Sequence, residues 1–231
     1  MVRIGGMQKV SMIDYPGLLS AVIFLSGCNF RCPYCHNPGL ARGETDPQLG
    51  AAEALAYLDA RRGLLDGVVI SGGEPTLQTG LPDFCRAVKE RGYAVKLDTN
   101  GSFPDVLATL IDGKLVDYVA MDVKTDPERY APTVCPRDPA AAIQTSIERI
   151  RASGVPHEFR TTCFRPMVDA GTLSRIAALI QGAQAFAIQK FCAKGTLDPK
   201  AGSSSDHFFD DNELLHLKAI VEPMVDFCFV R

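Results

Sequence analysis

Residues 19–35 read LSAVIFLSGCNFRCPYC, an apolar segment that runs directly into three closely spaced cysteines. The first seven of these residues are mostly apolar and rich in β-branched and aromatic types, which is typical of a strand buried on both faces. Cys28, Cys32 and Cys35 follow with the spacing C-x3-C-x2-C. The stretch therefore predicts a buried β-strand whose C-terminal end leads into a cysteine-bearing loop.

Five further segments share this strand character, and amphipathic stretches lie between them. The predicted strands are residues 19–25, 67–71, 94–97, 118–121, 157–162 and 185–189, and the predicted helices are residues 47–62, 82–91, 104–111, 139–152 and 171–181. Strands that alternate with helices build right-handed βαβ units and a parallel sheet covered by helices. We therefore predict an α/β fold, a partial (βα)6 TIM-like barrel with outer helices; an open doubly wound sheet is the alternative.

The 231 residues are expected to form a single domain, because a chain of this length buries a core of its own. The core barrel is predicted at about residues 19–191 and a C-terminal extension at residues 192–231. The extension begins with a loop rich in Ser and Asp. A helix at residues 212–220 and a closing strand at residues 224–230 are predicted to follow this loop.

Composition and charge exclude several classes of function. Hydrophobic residues make up 46% of the chain, and no apolar run approaches the roughly 20 residues that cross a bilayer. The 24 Lys and Arg nearly balance the 27 Asp and Glu, without a basic block, so neither nucleic acid nor a membrane is an expected partner. The N-terminus lacks the layout of a secretory signal, so a cytoplasmic location is expected.

Ligands of α/β proteins bind beyond the C-terminal ends of the parallel strands. Glycine and charged residues occupy these positions after the second, third and fourth predicted strands: Gly72, Gly73, Glu74, Asp98, Asp122 and Lys124. Glycine lets the backbone approach a ligand closely, and a carboxylate such as Glu74 binds ammonium groups. The alternatives are an ordinary turn at Gly-Gly-Glu-Pro and a structural Asp–Lys ion pair.

The three clustered cysteines indicate a metal centre, because thiols in a reducing compartment more often hold a metal than form a disulfide. Three thiolates hold three irons of a [4Fe-4S] cluster and leave the fourth iron open to a small molecule. The alternative is zinc with His36 as a fourth ligand, although His36 directly follows Cys35 and this spacing is awkward. A ferredoxin-like electron carrier would need a fourth cysteine nearby.

The remaining cysteines and two arginines are expected to have structural roles. Arg160 and Arg165 flank the fifth predicted strand and are predicted to form surface ion pairs, with contact to an anionic ligand as the alternative. Buried small hydrophobes are the expectation for the five scattered cysteines, which are Cys85, Cys135, Cys163, Cys192 and Cys228.

The cysteine motif resembles that of the radical S-adenosylmethionine (SAM) superfamily, C-x3-C-x-aromatic-C, with Tyr34 as the aromatic residue. Gly72-Gly73-Glu74 resembles the SAM-binding glycine motif of the same family. Residues 35–38 (CHNP), 98–101 (DTNG) and 121–124 (MDVK) are similar to those of activases of glycyl radical enzymes. More narrowly, residues 8–17 (QKVSMIDYPG) and 188–191 (IQKF) are similar to activating proteins of anaerobic ribonucleoside-triphosphate reductase.

The resemblance implies that Cys28, Cys32 and Cys35 bind a [4Fe-4S] cluster and form the catalytic centre. Some activases carry additional cysteines between the cluster loop and the glycine motif. Residues 36–71 contain no cysteine, so we expect a single cluster.

The resemblance also implies contacts with SAM. Tyr34 would lie near the adenine, and Glu74 with the backbone of the two preceding glycines would lie at the methionyl amine. The ribose and carboxylate of SAM would be surrounded by Asp98, Asp122 and Lys124. A nearby monovalent cation is a further candidate ligand for these three residues.

The activity implied by the resemblance is that of an oxidoreductase that cleaves SAM to generate a 5′-deoxyadenosyl radical. This radical would install a glycyl radical on a partner enzyme, here anaerobic ribonucleoside-triphosphate reductase. A flavodoxin or ferredoxin would supply the electrons. A radical SAM enzyme that acts on a small molecule is the first alternative, and a zinc-stabilised interaction module without catalysis is the second.

Overall fold

The computed structural model describes residues 2–44 and 49–231. The strands are β1 (Ile4–Ser11), β2 (Ser20–Leu25), β3 (Gly67–Gly72), β4 (Ala94–Thr99), β5 (Tyr118–Asp122), β6 (His157–Cys163), β7 (Ala185–Lys190) and β8 (Phe227–Val230). The helices are α1 (Pro38–Arg42), α2 (Ala51–Asp59), α3 (Leu81–Lys89), α4 (Pro104–Asp112), α5 (Ala140–Ala152), α6 (Ala170–Leu179) and α7 (Asp211–Val221). Within the described ranges, no helix is both long and apolar enough to span a membrane.

The six predicted strands are present as β2 to β7, and no end differs from the predicted one by more than two residues. The closing strand is also present, although β8 begins three residues later than predicted. Helices α2 to α7 confirm the predicted amphipathic stretches. The predicted start of the first of these, at residues 47 and 48, lies outside the described residues.

Strand β1 is absent from the predicted set. It pairs antiparallel with β2, with Ile4 opposite Leu25. Most of its side chains are half-buried or exposed, so it lacks the apolar run that marks a buried strand. Gly5 and Gly6 also read as turn residues rather than as strand residues. The sequence therefore gives no signal for the first strand of the sheet, because that strand is largely exposed.

The chain divides into two compact units. The first unit consists of the described residues within Met1–Asn29, Gly39–Thr99 and Asp105–Val119. The second unit consists of Phe30–Pro38, Asn100–Pro104 and Ala120–Arg231.

In the first unit, β2 pairs in parallel with β3, which pairs in parallel with β4. Val22 lies opposite Val69, and Val69 lies opposite Lys96. Tyr15 packs with these two valines in the buried core. Helix α3 adds an apolar face that includes the buried side chains of Phe84 and Val88. The parallel pairing brings the C-terminal ends of these strands to the same edge.

In the second unit, β6, β7 and β8 pair in parallel, with Phe186 opposite both Phe159 and Cys228. Helices α5, α6 and α7 each bury an apolar face, and α7 contacts α6 and β7. The strands follow chain order in an eight-stranded sheet. The predicted α/β class with a mostly parallel sheet is therefore confirmed.

Candidate functional site

The predicted site residues stand at or just after the C-terminal ends of strands. Cys28 follows β2, Gly72 ends β3, Asp98 is next to last in β4, and Asp122 ends β5. This placement agrees with the rule that ligands of α/β proteins gather at those ends.

The backbone of Cys28 is held in the first unit by the segment that contains α1. The amide of Gly27 donates to the carbonyl of Leu40 at 2.7 Å, and the amide of Cys28 donates to that of Ala41 at 3.1 Å. Gly27 has a φ of +97°, a conformation that favours glycine. The exit from β2 is therefore built to turn the chain at the residue before the first cysteine.

The second and third cysteines are held in the second unit by residues from the C-terminal extension. The amide of Cys35 donates to the carbonyl of Cys32 at 3.0 Å, which closes a tight turn. The amide of Leu197 donates to the carbonyl of Cys35 at 2.9 Å, and that of Asp198 donates to Pro33 at 3.0 Å. Residues about 160 positions apart in sequence thus fix the loop, and no local motif predicts this contact.

The cysteine loop fits an iron–sulfur cluster through the chemistry of its donors. All eight cysteines are thiols. Within residues 2–44 and 49–231, no group of three or more His, Cys, Asp or Glu side chains is arranged to hold a metal ion. The fit therefore rests on three soft sulfur donors in one short loop, which is the donor type that iron–sulfur clusters use.

His36, the alternative fourth ligand for zinc, is engaged elsewhere. Its Nε2 donates to the carbonyl of Cys192 at 2.5 Å, a bond in which only the ring nitrogen is able to donate. The ring stacks on Phe191 with centroids 6.2 Å apart. His36 thus anchors the cysteine loop to the segment after β7, and this contact weakens the case for zinc.

Gly72 and Gly73 are required by contacts between backbone segments of the first unit. A Cβ on Gly72, whose φ is +119°, would overlap the backbone of Leu25. A Cβ on Gly73 would lie 2.6 Å from the carbonyl carbon of Gly27 and closer still to its oxygen. Gly72 therefore packs on the end of β2, and Gly73 packs directly on the loop that leads to Cys28.

Glu74 is buried, with 1% of its surface exposed. Its Oε1 accepts from the amide of Thr76 at 3.0 Å, from the Thr76 hydroxyl, and from the Thr99 hydroxyl at 2.7 Å. The carboxylate thus caps the 3₁₀ turn Pro75–Leu77 and binds the end of β4. Thr99 was not predicted as a site residue; its position directly after Asp98 at the end of β4 was the available signal.

Asp98 lies in a polar group of the first unit. Its Oδ2 accepts from the Ser71 hydroxyl at 3.1 Å, and its Oδ1 lies 3.5 Å from the Nζ of Lys96. Lys96 is 2% exposed and was not predicted as a site residue. Residues i and i+2 of a strand share a face. The two-residue spacing of Lys96 and Asp98 was therefore the only sequence signal for this ion pair.

Asp122 is the centre of an ionic network in the second unit. Its Oδ1 accepts from Arg160 Nε at 2.7 Å, and its Oδ2 accepts from Lys124 Nζ at 2.9 Å. Burial raises the pKa of Asp122, but the charges of Arg160 and Lys124 outweigh it and hold the pKa well below its usual value. Burial lowers the pKa of Lys124, but the charge of the Asp122 carboxylate raises it by more, so the pKa of Lys124 lies above its usual value. Both groups therefore stay charged.

Arg160 corrects a prediction. It is 7% exposed rather than at the surface, and it pairs with Asp122 instead of with an exposed acid. Its guanidinium also lies 3.9 Å from the buried carboxylate of Glu158, which in turn lies 3.4 Å from Arg231. Arg165 behaves as predicted, in a partly exposed pair with Glu213 at 2.8 Å.

Tyr34 has a buried hydroxyl with no hydrogen-bond partner among the described residues, although the side chain is only 3% exposed. Its ring packs against Phe164 with centroids 5.6 Å apart. Burial, with the nearby Cys32 and Asp122, raises the pKa of this hydroxyl well above its usual value. A buried hydroxyl without a partner costs free energy. A ligand that bound to this hydroxyl would remove the cost.

Four of the five scattered cysteines are buried, as predicted, and only Cys192 is exposed. Burial raises the pKa of Cys85 to about 12 and that of Cys163 to about 12. These two thiols are therefore protonated and unreactive at neutral pH.

Residues 22–180 match the family described as the Radical SAM superfamily. The chain is 36% identical to a candidate glycyl-radical enzyme activating enzyme of Methanocaldococcus jannaschii, over 99% of this chain and 95% of that protein. It is 34% identical to the pyruvate formate-lyase-activating enzyme of Clostridium pasteurianum, over 54% of this chain and 53% of that enzyme.

Among solved structures, the chain is similar to SuiB of Streptococcus suis bound to the precursor peptide SuiA. The TM-score is 0.69 at 15% identity, over 91% of this chain and 48% of that chain. This chain thus spans about half the length of the SuiB chain, whereas the match to the C. pasteurianum enzyme covers about half of each protein. At this identity the likeness shows the fold, and it is consistent with the predicted partial TIM-like barrel.

Proposed function

The chain belongs to the radical SAM superfamily, and from this we infer that it activates a glycyl radical enzyme. The observation that carries the proposal is the C-x3-C-x-aromatic-C loop at Cys28 to Cys35. It occurs in a chain that resembles a candidate glycyl-radical enzyme activating enzyme over nearly the full length of both proteins. The similarities at residues 8–17 and 188–191 favour anaerobic ribonucleoside-triphosphate reductase as the partner.

We propose that Cys28, Cys32 and Cys35 hold one [4Fe-4S] cluster to which SAM binds. When bound, the reduced cluster would supply one electron for cleavage of the SAM sulfonium, which yields methionine and a 5′-deoxyadenosyl radical. The buried hydroxyl of Tyr34 supports a ligand at this loop, since it lacks a partner among the described residues.

The protein's own residues would orient SAM and exclude water. Lys124 is a charged donor suited to the SAM carboxylate, and Asp122 holds it in place at 2.9 Å. Glu74 is a fixed acceptor suited to the methionyl amine, because Thr76 and Thr99 already set its orientation. Fixed groups of this kind cost little reorganisation when the ligand binds.

Aromatic packing supports exclusion of water from the second unit's part of the loop. Phe164 contacts the rings of Tyr34, Phe191 and His207 at centroid distances of 5.6, 4.9 and 5.3 Å. A dry surround protects a reactive radical from side reactions. We therefore propose that this aromatic group shields the adenosyl end of SAM.

The partner would present a backbone glycine as the hydrogen donor, and a flavodoxin or ferredoxin would supply the electron. We propose that the enzyme works in the cytoplasm. The cysteines of the proposed cluster site must be reduced to bind iron, which a reducing compartment favours. The monovalent cation near Asp98, Asp122 and Lys124 remains a prediction.

The test is to incubate the reduced, cluster-loaded protein and SAM with the large subunit of an anaerobic ribonucleotide reductase. Electron paramagnetic resonance should show a glycine-centred radical that is absent with the Cys32→Ala variant. Cys163→Ala is the matched control, because that thiol is buried and lies outside the cysteine loop. SAM cleavage without a glycyl radical would favour the small-molecule alternative, and zinc in place of iron would favour the interaction module.

A further inference from the structure

Lys96 is a lysine in the core of the first unit. It stands in the middle of β4, between Val95 and Leu97, and is 2% exposed. Taking an ammonium group out of water is costly unless it is paired and hydrogen-bonded. The groups around Nζ therefore indicate how the buried charge of Lys96 is stabilised.

The groups near the ammonium include a carbonyl, an aromatic ring and a carboxylate. Nζ donates to the backbone carbonyl of Asp14 at 2.5 Å and lies 5.5 Å from the centre of the Tyr118 ring. It also lies 3.5 Å from Oδ1 of Asp98. A carbonyl, an aromatic face and a carboxylate are all partners that stabilise a cation.

Asp14 belongs to the SMIDYPG part of the N-terminal motif, which no role proposed so far explains. Its carboxylate accepts from the Ser11 hydroxyl at 2.5 Å, and the neighbouring Tyr15 ring packs against Tyr118 at 5.9 Å. Lys96 thus joins this loop to the strand-end carboxylate of Asp98. The backbone carbonyl of Asp14 is thus a second anchor of the buried ammonium group.

A strand-end carboxylate such as Asp98 has two candidate partners, a ligand hydroxyl or a monovalent cation. The ammonium of Lys96 already places a full positive charge beside Oδ1. A second cation on the same carboxylate would be repelled by this charge, and the repulsion is strong because the surroundings are buried. A neutral hydroxyl has no such penalty.

We propose that Lys96 is a positioning residue that serves as the built-in cation of Asp98, so that Asp98 accepts hydrogen bonds from hydroxyl groups of SAM without a dissolved monovalent cation. The inference rests on the proposed function, since it needs SAM as the ligand. Ser71, which donates to Oδ2 at 3.1 Å, holds the other side of the same carboxylate.

The test is SAM binding, measured by anaerobic equilibrium dialysis on the cluster-loaded protein. Each variant is measured in potassium, sodium and tetramethylammonium buffers of equal ionic strength. The variants are Lys96→Met, which removes the charge, and Lys96→Arg, which keeps it. Lys89→Met is the matched control, because Lys89 forms a half-buried pair with Asp117 in the same unit and has no contact with Asp98. Iron content and thermal unfolding are recorded for each.

The wild-type affinity for SAM should change by less than about twofold between the three buffers. Lys96→Met should bind SAM about tenfold more weakly in tetramethylammonium, the loss expected for one charge-assisted contact, and should recover in potassium or sodium. Lys96→Arg and Lys89→Met should behave like the wild type.

A wild-type protein that needs potassium or sodium to bind SAM would overturn the inference, and so would a folded Lys96→Met variant with wild-type affinity in tetramethylammonium. If Lys96→Met fails to fold, the wild-type series and Lys96→Arg still decide the question. A wild-type protein that carries the cluster and binds no SAM in any buffer would instead refute the proposed function.

Discussion

Replacing Arg160 with methionine tests whether the ionic network around Asp122 is as buried as the structure indicates. The change keeps the length and the apolar stem of the side chain but removes its charge. It leaves Asp122 with Lys124 as its remaining described cationic partner, at 2.9 Å. It also takes away the guanidinium that lies 3.9 Å from the buried Glu158.

The size of the effect follows from the geometry. Two unit charges 2.7 Å apart attract by about 6 kcal/mol at an effective dielectric constant of about 20. Desolvation of the buried partners offsets much of this attraction, and removal of one partner from a buried pair costs about 3–5 kcal/mol. Because Lys124 stays, we expect a loss near the lower end, about 3 kcal/mol in the free energy of unfolding.

The loss should depend on pH in a defined direction. The folded pKa of Asp122 is depressed below its ordinary value of 3.8, so its ionisation stabilises the fold above that pH and stops doing so as the pH falls through the folded value. Without Arg160 the folded pKa moves back up toward 3.8. The difference between wild type and variant should therefore be full at neutral pH and shrink as the pH drops below about 4.

The assay is urea unfolding followed by circular dichroism, at neutral and acidic pH, on preparations matched for iron content. Arg165→Met is the control, since Arg165 forms a partly exposed pair with Glu213 and exposed pairs contribute little. Equal losses of unfolding free energy in the two variants at neutral pH would contradict a buried network. An Arg160→Met loss that is the same at acidic and neutral pH would contradict it as well.

Three further predictions follow from single contacts. Gly73→Ala should displace the cysteine loop and lower the iron bound per chain by about half or more, whereas Gly6→Ala, whose Cβ would meet Phe24 at an ordinary 3.9 Å, should load iron normally. In the folded, iron-free protein, iodoacetamide at neutral pH should label the exposed Cys192 but not the buried Cys163, as read by peptide mass spectrometry; equal labelling would contradict the burial. Tyr34→Phe should raise the unfolding free energy of the SAM-free protein by about 1 kcal/mol, since it removes a buried hydroxyl without a described partner, and a loss of stability would show that the hydroxyl is satisfied.

The parts of the fold that the sequence predicts are those with a local signal. Strands β2, β3, β5 and β7 carry apolar runs that are visible without any knowledge of their neighbours, whereas β6 reads HEFRTTC and is less clearly marked. The placement of Gly72, Asp98 and Asp122 at strand ends follows from the alternation of strands and helices along the sequence. Strand β1 has no such signal, because its stability comes from pairing with β2 rather than from its own composition.

The parts that the sequence does not predict depend on long-range partners. Arg160 was predicted at the surface because Arg is rarely buried, and Lys96 had no predicted role, yet both are buried beside carboxylates. The amide of Leu197 binds the carbonyl of Cys35 across most of the chain, and no spacing rule connects them. The glycines after β3 were predicted from the freedom of their backbone to approach a ligand, and their close packing on Leu25 and Gly27 is a long-range contact that no sequence signal indicated.

The central claim is that the loop of Cys28, Cys32 and Cys35 supports radical SAM chemistry. The most direct measurement is 5′-deoxyadenosine formed from SAM by the reduced, anaerobically reconstituted protein, with iron, sulfide and zinc determined on the same sample. The account predicts about four irons per chain and 5′-deoxyadenosine in the wild type and in Cys163→Ala, with no product from Cys32→Ala. Zinc without iron, or SAM cleavage that persists in Cys32→Ala, would contradict it.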